Sequence, residues 1–299
     1  MKVVVVLIGL LDSLALAGKE PIVLDYHEQR GIPDAARIEQ FEKGVASARL
    51  IGAAPATLGM FPYLGGLVIR LESGATSVCG CSLLTRSRLA TAAHCWRTAR
   101  HRARLLTAVL GSTTLFSGGT RRDSDRVQVH SQYDTATLNY DLALVTISVV
   151  EFNYNIQPIS LASGDDDYVG SWAVAAGFGK TSDAQATIPL SASLGRVALR
   201  VISNAECRGT FQARFVVAGT LCAAGGVGGG AGGGGGTCAG DSGGPLAVGP
   251  PRNATLVTSL YDRHHIVRLD ARLRARPALW FHSRLPLPLL DTRTLVKAF

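Results

Sequence analysis

Three short stretches of this chain carry side chains that can do chemistry together. Thr91-Ala92-Ala93-His94-Cys95 offers an imidazole. Asn139-Tyr140-Asp141-Leu142-Ala143-Leu144 offers a carboxylate beside apolar residues. Gly240-Asp241-Ser242-Gly243-Gly244-Pro245 offers a hydroxyl in a glycine-rich turn. A serine hydroxyl is a poor nucleophile at neutral pH. It needs an imidazole to take its proton and a buried carboxylate to hold that imidazole in the right tautomer. The chain supplies one of each, in the order His, Asp, Ser. Glycines around Ser242 let the backbone turn sharply and aim N–H groups at a developing oxyanion. Taken singly, His94 reads as a core histidine, Asp141 as a strand-end turn and Ser242 as a Gly-Ser turn; the three together select the chemistry. His264-His265 has no third ligand placed, and Asp165–Asp167 reads as a solvated turn. No metal and no cofactor are therefore expected.

Side chains so far apart in sequence need a scaffold to bring them together. At 299 residues and 47% hydrophobic, the chain can bury a core, which excludes a fully disordered protein. From Leu50 it consists of short β-type runs broken by Gly, Ser, Thr and Asn. These include Gly66–Leu71, Arg88–Ala92, Ala108–Leu110, Val127–His130, Leu142–Val149, Trp172–Ala176 and Ala198–Ile202. Such spacing predicts an all-β sandwich or barrel. Gly225–Gly236 holds ten glycines in twelve residues and reads as a loop without side chains to pack.

The first residues read as a secretory signal over 1–17. Lys2 is the positive start, Val3 to Leu11 the apolar segment, and Ala15-Leu16-Ala17 the small residues at a cleavage point. Secretion makes the six cysteines disulfide candidates, though counting alone selects no pairing. Residues 18–49, with Glu20, Glu28, Arg30, Glu39, Glu42 and Lys43, are polar and helix-tolerant and read as a removable leader. The net charge of +8 is concentrated. Residues 262–299 carry eight Lys/Arg and three Asp/Glu, a net of +5, leaving +3 elsewhere. No basic stripe marks a nucleic-acid partner, and no apolar run reaches the roughly 18–20 residues that span a bilayer.

The three motifs resemble those of the chymotrypsin family of serine proteases, over Leu50 to about Leu246. Val109-Leu110-Gly111-Ser112, Asn155-Ile156-Gln157-Pro158-Ile159 and Ala176-Gly177-Phe178-Gly179 resemble the secreted digestive chymotrypsins of insects. The resemblance implies an all-β fold of two packed six-stranded antiparallel barrels, with the site in the cleft between them. It makes His94 the general base, Asp141 its orienting group and Ser242 the nucleophile. The Gly240 and Ser242 N–H groups become the oxyanion hole. It also implies a zymogen cut between Arg49 and Leu50, after which the new Leu50 ammonium pairs with Asp241. The family has Ile or Val where this chain has Leu50. Gly236, six residues before Ser242, falls at the base of the substrate pocket, where a trypsin-like enzyme has Asp. An uncharged base fits large apolar or aromatic side chains. Bridges are implied for Cys79 with Cys95 and Cys207 with Cys222, leaving Cys81 and Cys238 over. Cys81 stands where the family has glycine, close to the nucleophile loop. The expected protein is a monomer secreted into a digestive lumen, acting on proteins or peptides and activated by a trypsin-like protease. A catalytically inactive homologue that binds proteins through the same cleft is the alternative.

The C-terminal region departs from the family. Residues 262–299 read as an Arg-, Leu- and Pro-rich tail, with Pro277, Pro286 and Pro288 unfavourable to a strand or terminal helix. Shifted by one base, the codons from Asp262 onward can read IGITSFVSTRGCERGLPSGFTRV, and Leu290-Asp291-Thr292 can give WI. That restores family-like text, including a cysteine to pair with Cys238. The tail is therefore expected to be out of frame, irregular, and unable to complete the second barrel or the pocket wall.

Overall fold

A computed structural model describes residues 24–45, 57–163, 166–178, 195–225, 242–260 and 266–268. The signal stretch, Arg49, Leu50, Gly236, Cys238, Gly240, Asp241 and the tail beyond Arg268 lie outside the described residues.

Seven strands build the first sheet: β1 (Leu64–Leu71), β2 (Thr76–Thr85), β3 (Arg88–Thr91), β4 (Ala103–Leu110), β5 (Thr120–Ser124), β6 (Val127–Val129) and β7 (Ala143–Thr146). They pair antiparallel in the order β5-β4-β1-β2-β3-β7-β6. The two outer strands are parts of one run, interrupted only at Asp125 and Arg126. Because β5 pairs with β4 and β6 pairs with β7, that run closes the sheet on itself. Ser124 bridges the break. Its hydroxyl donates to the Thr146 carbonyl at 2.5 Å and accepts from the Arg126 N–H at 3.0 Å. A closed sheet has no free edge to satisfy, and its interior fills with Leu67, Ile69, Leu71, Leu83, Leu89, Leu106 and Leu110.

The second sheet contains β8 (Ser160–Leu161), β9 (Trp172–Gly177), β10 (Gly195–Ile202), β11 (Thr220–Gly225), β12 (Pro245–Val248), β13 (Thr255–Leu260) and β14 (Ile266–Arg268). The pairings run β12-β9-β10-β11-β14-β13, and β13 returns to β12, so six strands form a ring. The short β8 lies parallel on the first residues of β13. Among the described residues its interior holds Ala173, Ala175, Leu199, Val201, Leu221, Ala223 and Leu246. A helix, α2 (Asn204–Thr210), is capped by Ser203, whose hydroxyl accepts from the Glu206 N–H at 3.1 Å. A Cys207–Cys222 disulfide ties α2 to β11. The two rings meet through Phe61, Tyr63, Leu64, Leu84 and Leu144 on one side and Ile159, Ala176, Phe178, Ala247 and Leu256 on the other.

One short strand lies within the segment expected to be irregular. Ile266–Arg268 pair with Thr220–Cys222 of β11 and with Ser259 and Leu260 of β13. Two strand edges facing each other supply donors and acceptors that a third backbone can satisfy whatever its side chains. Cys81 stands close to the Ser242 loop, beside Gly80, but its side chain points to the other face of the strand. It lies opposite Gly65 in β1, and a Cβ on Gly65 would come within 2.8 Å of its sulfur. Its neighbour Gly80 faces that loop instead, because successive strand residues point to opposite faces. Cys81 is fully buried in the first core without a disulfide, and burial pushes its thiol up to about 12.

The described part of the leader, residues 24–45, packs on the first barrel. A wide turn over His27–Gly31 runs into the helix α1 (Ile32–Val45). Ala35 and Ile38, three residues apart on one helix face, are buried against Val68, Val78, Val109 and Leu115. Further along that helix, the Glu42 carboxylate accepts from the backbone N–H groups of Leu115 and Phe116 and from the Ser117 hydroxyl. Gly31 is required for this approach, since a Cβ there would lie 2.0 Å from the Ser77 hydroxyl oxygen.

Candidate active site

His94 sits in a short helical turn, Ala93–Cys95, directly after β3. The turn is held by the Cys79–Cys95 disulfide, which ties it to β2. Asp141 lies just before β7, the strand paired with β3, so the sheet register brings the imidazole and the carboxylate to one end of the first barrel. The Asp141 Oδ2 stands 2.6 Å from His94 Nδ1, and Oδ1 accepts the His94 backbone N–H at 2.8 Å. Both carboxylate oxygens are thus used by one residue. A carboxylate only accepts, so the proton on that side of the ring belongs to Nδ1, which leaves Nε2 as the acceptor. Asp141 is 2% exposed and His94 and Ser242 are fully buried, so water does not compete for these bonds.

Tyr140 delivers Asp141. Its backbone adopts φ +56°, a left-handed conformation that is costly for a bulky residue, and its ring stacks on His130 at 5.2 Å. The Leu142 N–H donates back to the Tyr140 carbonyl, and the His130 N–H donates to the Leu142 carbonyl. The turn is therefore braced on both sides of the carboxylate.

Ser242 comes from the second barrel, immediately before β12. Gly80 of β2 donates its N–H to the Ser242 carbonyl at 2.7 Å, which locks the serine turn to the first barrel. The Thr91 hydroxyl donates to the Gly80 carbonyl at 2.8 Å. The approach is so close that a Cβ on Gly80 would lie 2.7 Å from the Gly244 backbone. Gly243 has φ +81°, and a Cβ there would meet the Gly80 carbonyl and the Thr91 hydroxyl, each at 2.5 Å. The Cys95 sulfur packs 3.7 Å from His94 Nε2 and 3.9 Å from the Ser242 carbonyl oxygen. The imidazole and the serine turn therefore converge over the disulfide. Donor atoms of Cys79, His94 and Cys95 also lie within 4.8 Å of one another. Both sulfurs are committed to the disulfide and offer no thiolate to a metal.

Of the residues singled out from the sequence, His94, Asp141 and Ser242 are brought to the junction of the barrels. Gly236, Gly240, Asp241, Arg49 and Leu50 lie outside the described residues. Four positions escaped the sequence. Gly80 and Thr91 are ordinary strand residues until the facing loop is known. Tyr140 shows its role only through its φ. Tyr26, in the leader, packs its ring 4.5 Å from the His94 ring, centroid to centroid.

Two β-barrels meeting at a buried His–Asp pair and a serine turn are the architecture of the chymotrypsin-like serine proteases. The chain belongs to the trypsin family, whose sequence profile matches residues 50–261. A collagenase of Hypoderma lineatum is 32% identical over 203 residues, covering 67% of this chain and 72% of that protein. Alkaline trypsin B of Manduca sexta is 34% identical over 209 residues, covering 66% and 76%. The solved HL collagenase structure superposes with a TM-score of 0.60 at 29% identity, covering 74% of this chain and 93% of that one. Among the described residues no helix is long and apolar enough to cross a membrane.

Proposed function

We propose that the chain is a secreted serine endopeptidase, made as a zymogen, that cleaves beside large apolar or aromatic residues. The observation that carries this is the fully buried His94, held through Nδ1 and its own backbone N–H by both oxygens of Asp141. That arrangement leaves Nε2 to take the Ser242 proton as the hydroxyl oxygen attacks the peptide carbonyl. The same proton passes to the leaving amine, and the acyl group stays on Ser242. Water, deprotonated by His94, then releases the acid and restores the serine. The Gly240 and Ser242 N–H groups stabilise the oxyanion. A cut after Arg49 frees the Leu50 ammonium, which pairs with Asp241 and organises that hole. Two buried charges are tolerable only when closely paired.

The relatives' names, collagenase and trypsin, span different specificities. The uncharged Gly236 supports cleavage after Phe, Tyr or Leu. A panel of short amide substrates on the frame-corrected chain, cut at Arg49, decides it. Higher kcat/KM for Phe, Tyr or Leu than for Arg or Lys supports the reading, and preference for Arg places the pocket base elsewhere. We also infer that residues 262–299 are translated out of frame. The short pairing at Ile266–Arg268 is compatible with this, since a ladder uses backbone groups only. A transcript sequence with no alternative frame across this stretch would refute it.

A further inference from the structure

A functioning site of this kind must admit a peptide between the imidazole and the serine. Here His94 and Ser242 have no exposed surface, and a residue of the leader lies directly against the imidazole. The Tyr26 ring is tilted 55° to the His94 ring at 4.5 Å and is itself only 1% exposed. Its hydroxyl donates to the Val78 carbonyl of β2 at 2.8 Å. Tyr26 belongs to the same buried cluster as Cys79 and Cys95, the disulfide beneath the site. Next to it, His27 Nδ1 and the Ser77 hydroxyl lie 2.8 Å apart.

We infer that the leader segment Asp25–Glu42 is an intramolecular inhibitor that occludes His94 with Tyr26 and stays docked on the first barrel after the chain is cut. The inference rests on the serine-protease reading of the site. A cut at Arg49 breaks one peptide bond outside the docked segment, so every contact described here survives it. The contacts run the length of the leader. Asp25 faces His101 at 3.1 Å, and Arg100 reaches Glu28 at 3.2 Å. Ala35 and Ile38 fill the apolar groove, and Glu42 ties down Leu115–Ser117. The exposed Arg100–Glu28 pair contributes little. The buried apolar face, Tyr26 and the three bonds to Glu42 hold the segment. Activation on this account has two stages: the cut, and departure of the leader.

The experiment uses the secreted full chain, cut after Arg49 by trypsin, which is then inhibited and removed. One portion is kept at high protein concentration, and in another the leader is separated by gel filtration in dilute denaturant and the body returned to buffer. Both are treated with a serine-directed fluorophosphonate, and adduct formation at Ser242 is followed by mass. Labelling of the stripped chain should be at least about tenfold faster, and synthetic peptide 24–45 added back should restore the slow rate. The same peptide with Tyr26→Ala should bind more weakly and protect less. Glu42→Gln in the full chain, far from the reacting atoms, should make the leader dissociate after cutting and raise labelling without stripping. Equal labelling with and without the leader, and no protection by added peptide, overturns the inference while leaving the serine-protease reading intact. Failure of the stripped chain to label at all overturns that reading instead.

Discussion

The two barrels reach similar closure with different interiors. The first is filled by leucines and isoleucine, each buried to 2% or less, with its ring completed by a run broken at Asp125–Arg126. Among the described residues the second is lined by three alanines, three leucines and a valine, and carries the Cys207–Cys222 bridge. Burial of apolar area stabilises in proportion to that area, about 25 cal/mol per Å², so the larger described cluster of the first barrel contributes more of it. The first barrel carries His94, Asp141, Gly80 and the leader's docking groove. The second contributes the serine turn, which the first barrel grips through the Gly80 N–H.

That comparison can be broken at several points. The largest effect is expected where the barrels share the site. Asp141→Asn keeps the shape but favours the wrong imidazole tautomer, and kcat should fall about 10⁴-fold with folding retained. A loss below tenfold would mean that Asp141 does not orient the base. Next, Leu83→Ala in the first core should cost about 2–5 kcal/mol in denaturant unfolding, whereas Ala175→Gly in the second should cost about 1 kcal/mol. Equal costs would erase the distinction. Gly80→Ala puts a methyl group against the Gly244 backbone and should displace the serine turn. We expect a kcat loss of about 10²-fold with a smaller change in stability. An unchanged kcat would show that the grip of the first barrel on Ser242 is dispensable.

Acidification should loosen the leader. Burial, followed by the neighbouring His94 and His101, lowers His27 from 6.5 to about 3, partly offset by a hydrogen bond with the His94 backbone. A depressed value means the undocked state binds more protons between these limits. The contribution of His27 to docking is therefore full above 6.5 and is lost as pH falls towards 3. Asp25, Glu28 and Arg100 share this surface with His101. Leader retention on the cut chain, measured by gel filtration from pH 7 to 4, should decline, and retention that rises would contradict the assignment. The smallest effect concerns Cys81. Its buried, protonated thiol should resist a maleimide in the native state and react on unfolding.

Much of the site was legible because its chemistry is carried by residue types in short contiguous motifs around His94, Asp141 and Ser242. The β runs were legible where apolar residues cluster, as in β1, β7, β9 and β10. β2 was missed because it is buried on both faces and so shows no alternation. β5, Thr-Arg-Arg-Asp-Ser, was missed because it is polar and placed only by its neighbours. The leader's helix was anticipated as tolerance for helix, but its docking was not. Tyr26, Ala35, Ile38 and Glu42 gain meaning only against a surface made by β1, β2, β4 and the Leu115–Ser117 turn. The three residues Ile266–Arg268 pair although the tail's residue types do not favour a strand, because a ladder uses backbone groups.

Ser242 is proposed as the nucleophile and His94 as the base that serves it. Intact-mass and peptide-mapping analysis of the cut, leader-stripped chain after treatment with a fluorophosphonate tests it most directly. The account predicts one adduct per chain, mapped to Ser242, lost in Asp141→Asn on the same timescale and absent from denatured protein. An adduct on another serine, or no adduct on a correctly folded and stripped chain, would contradict it.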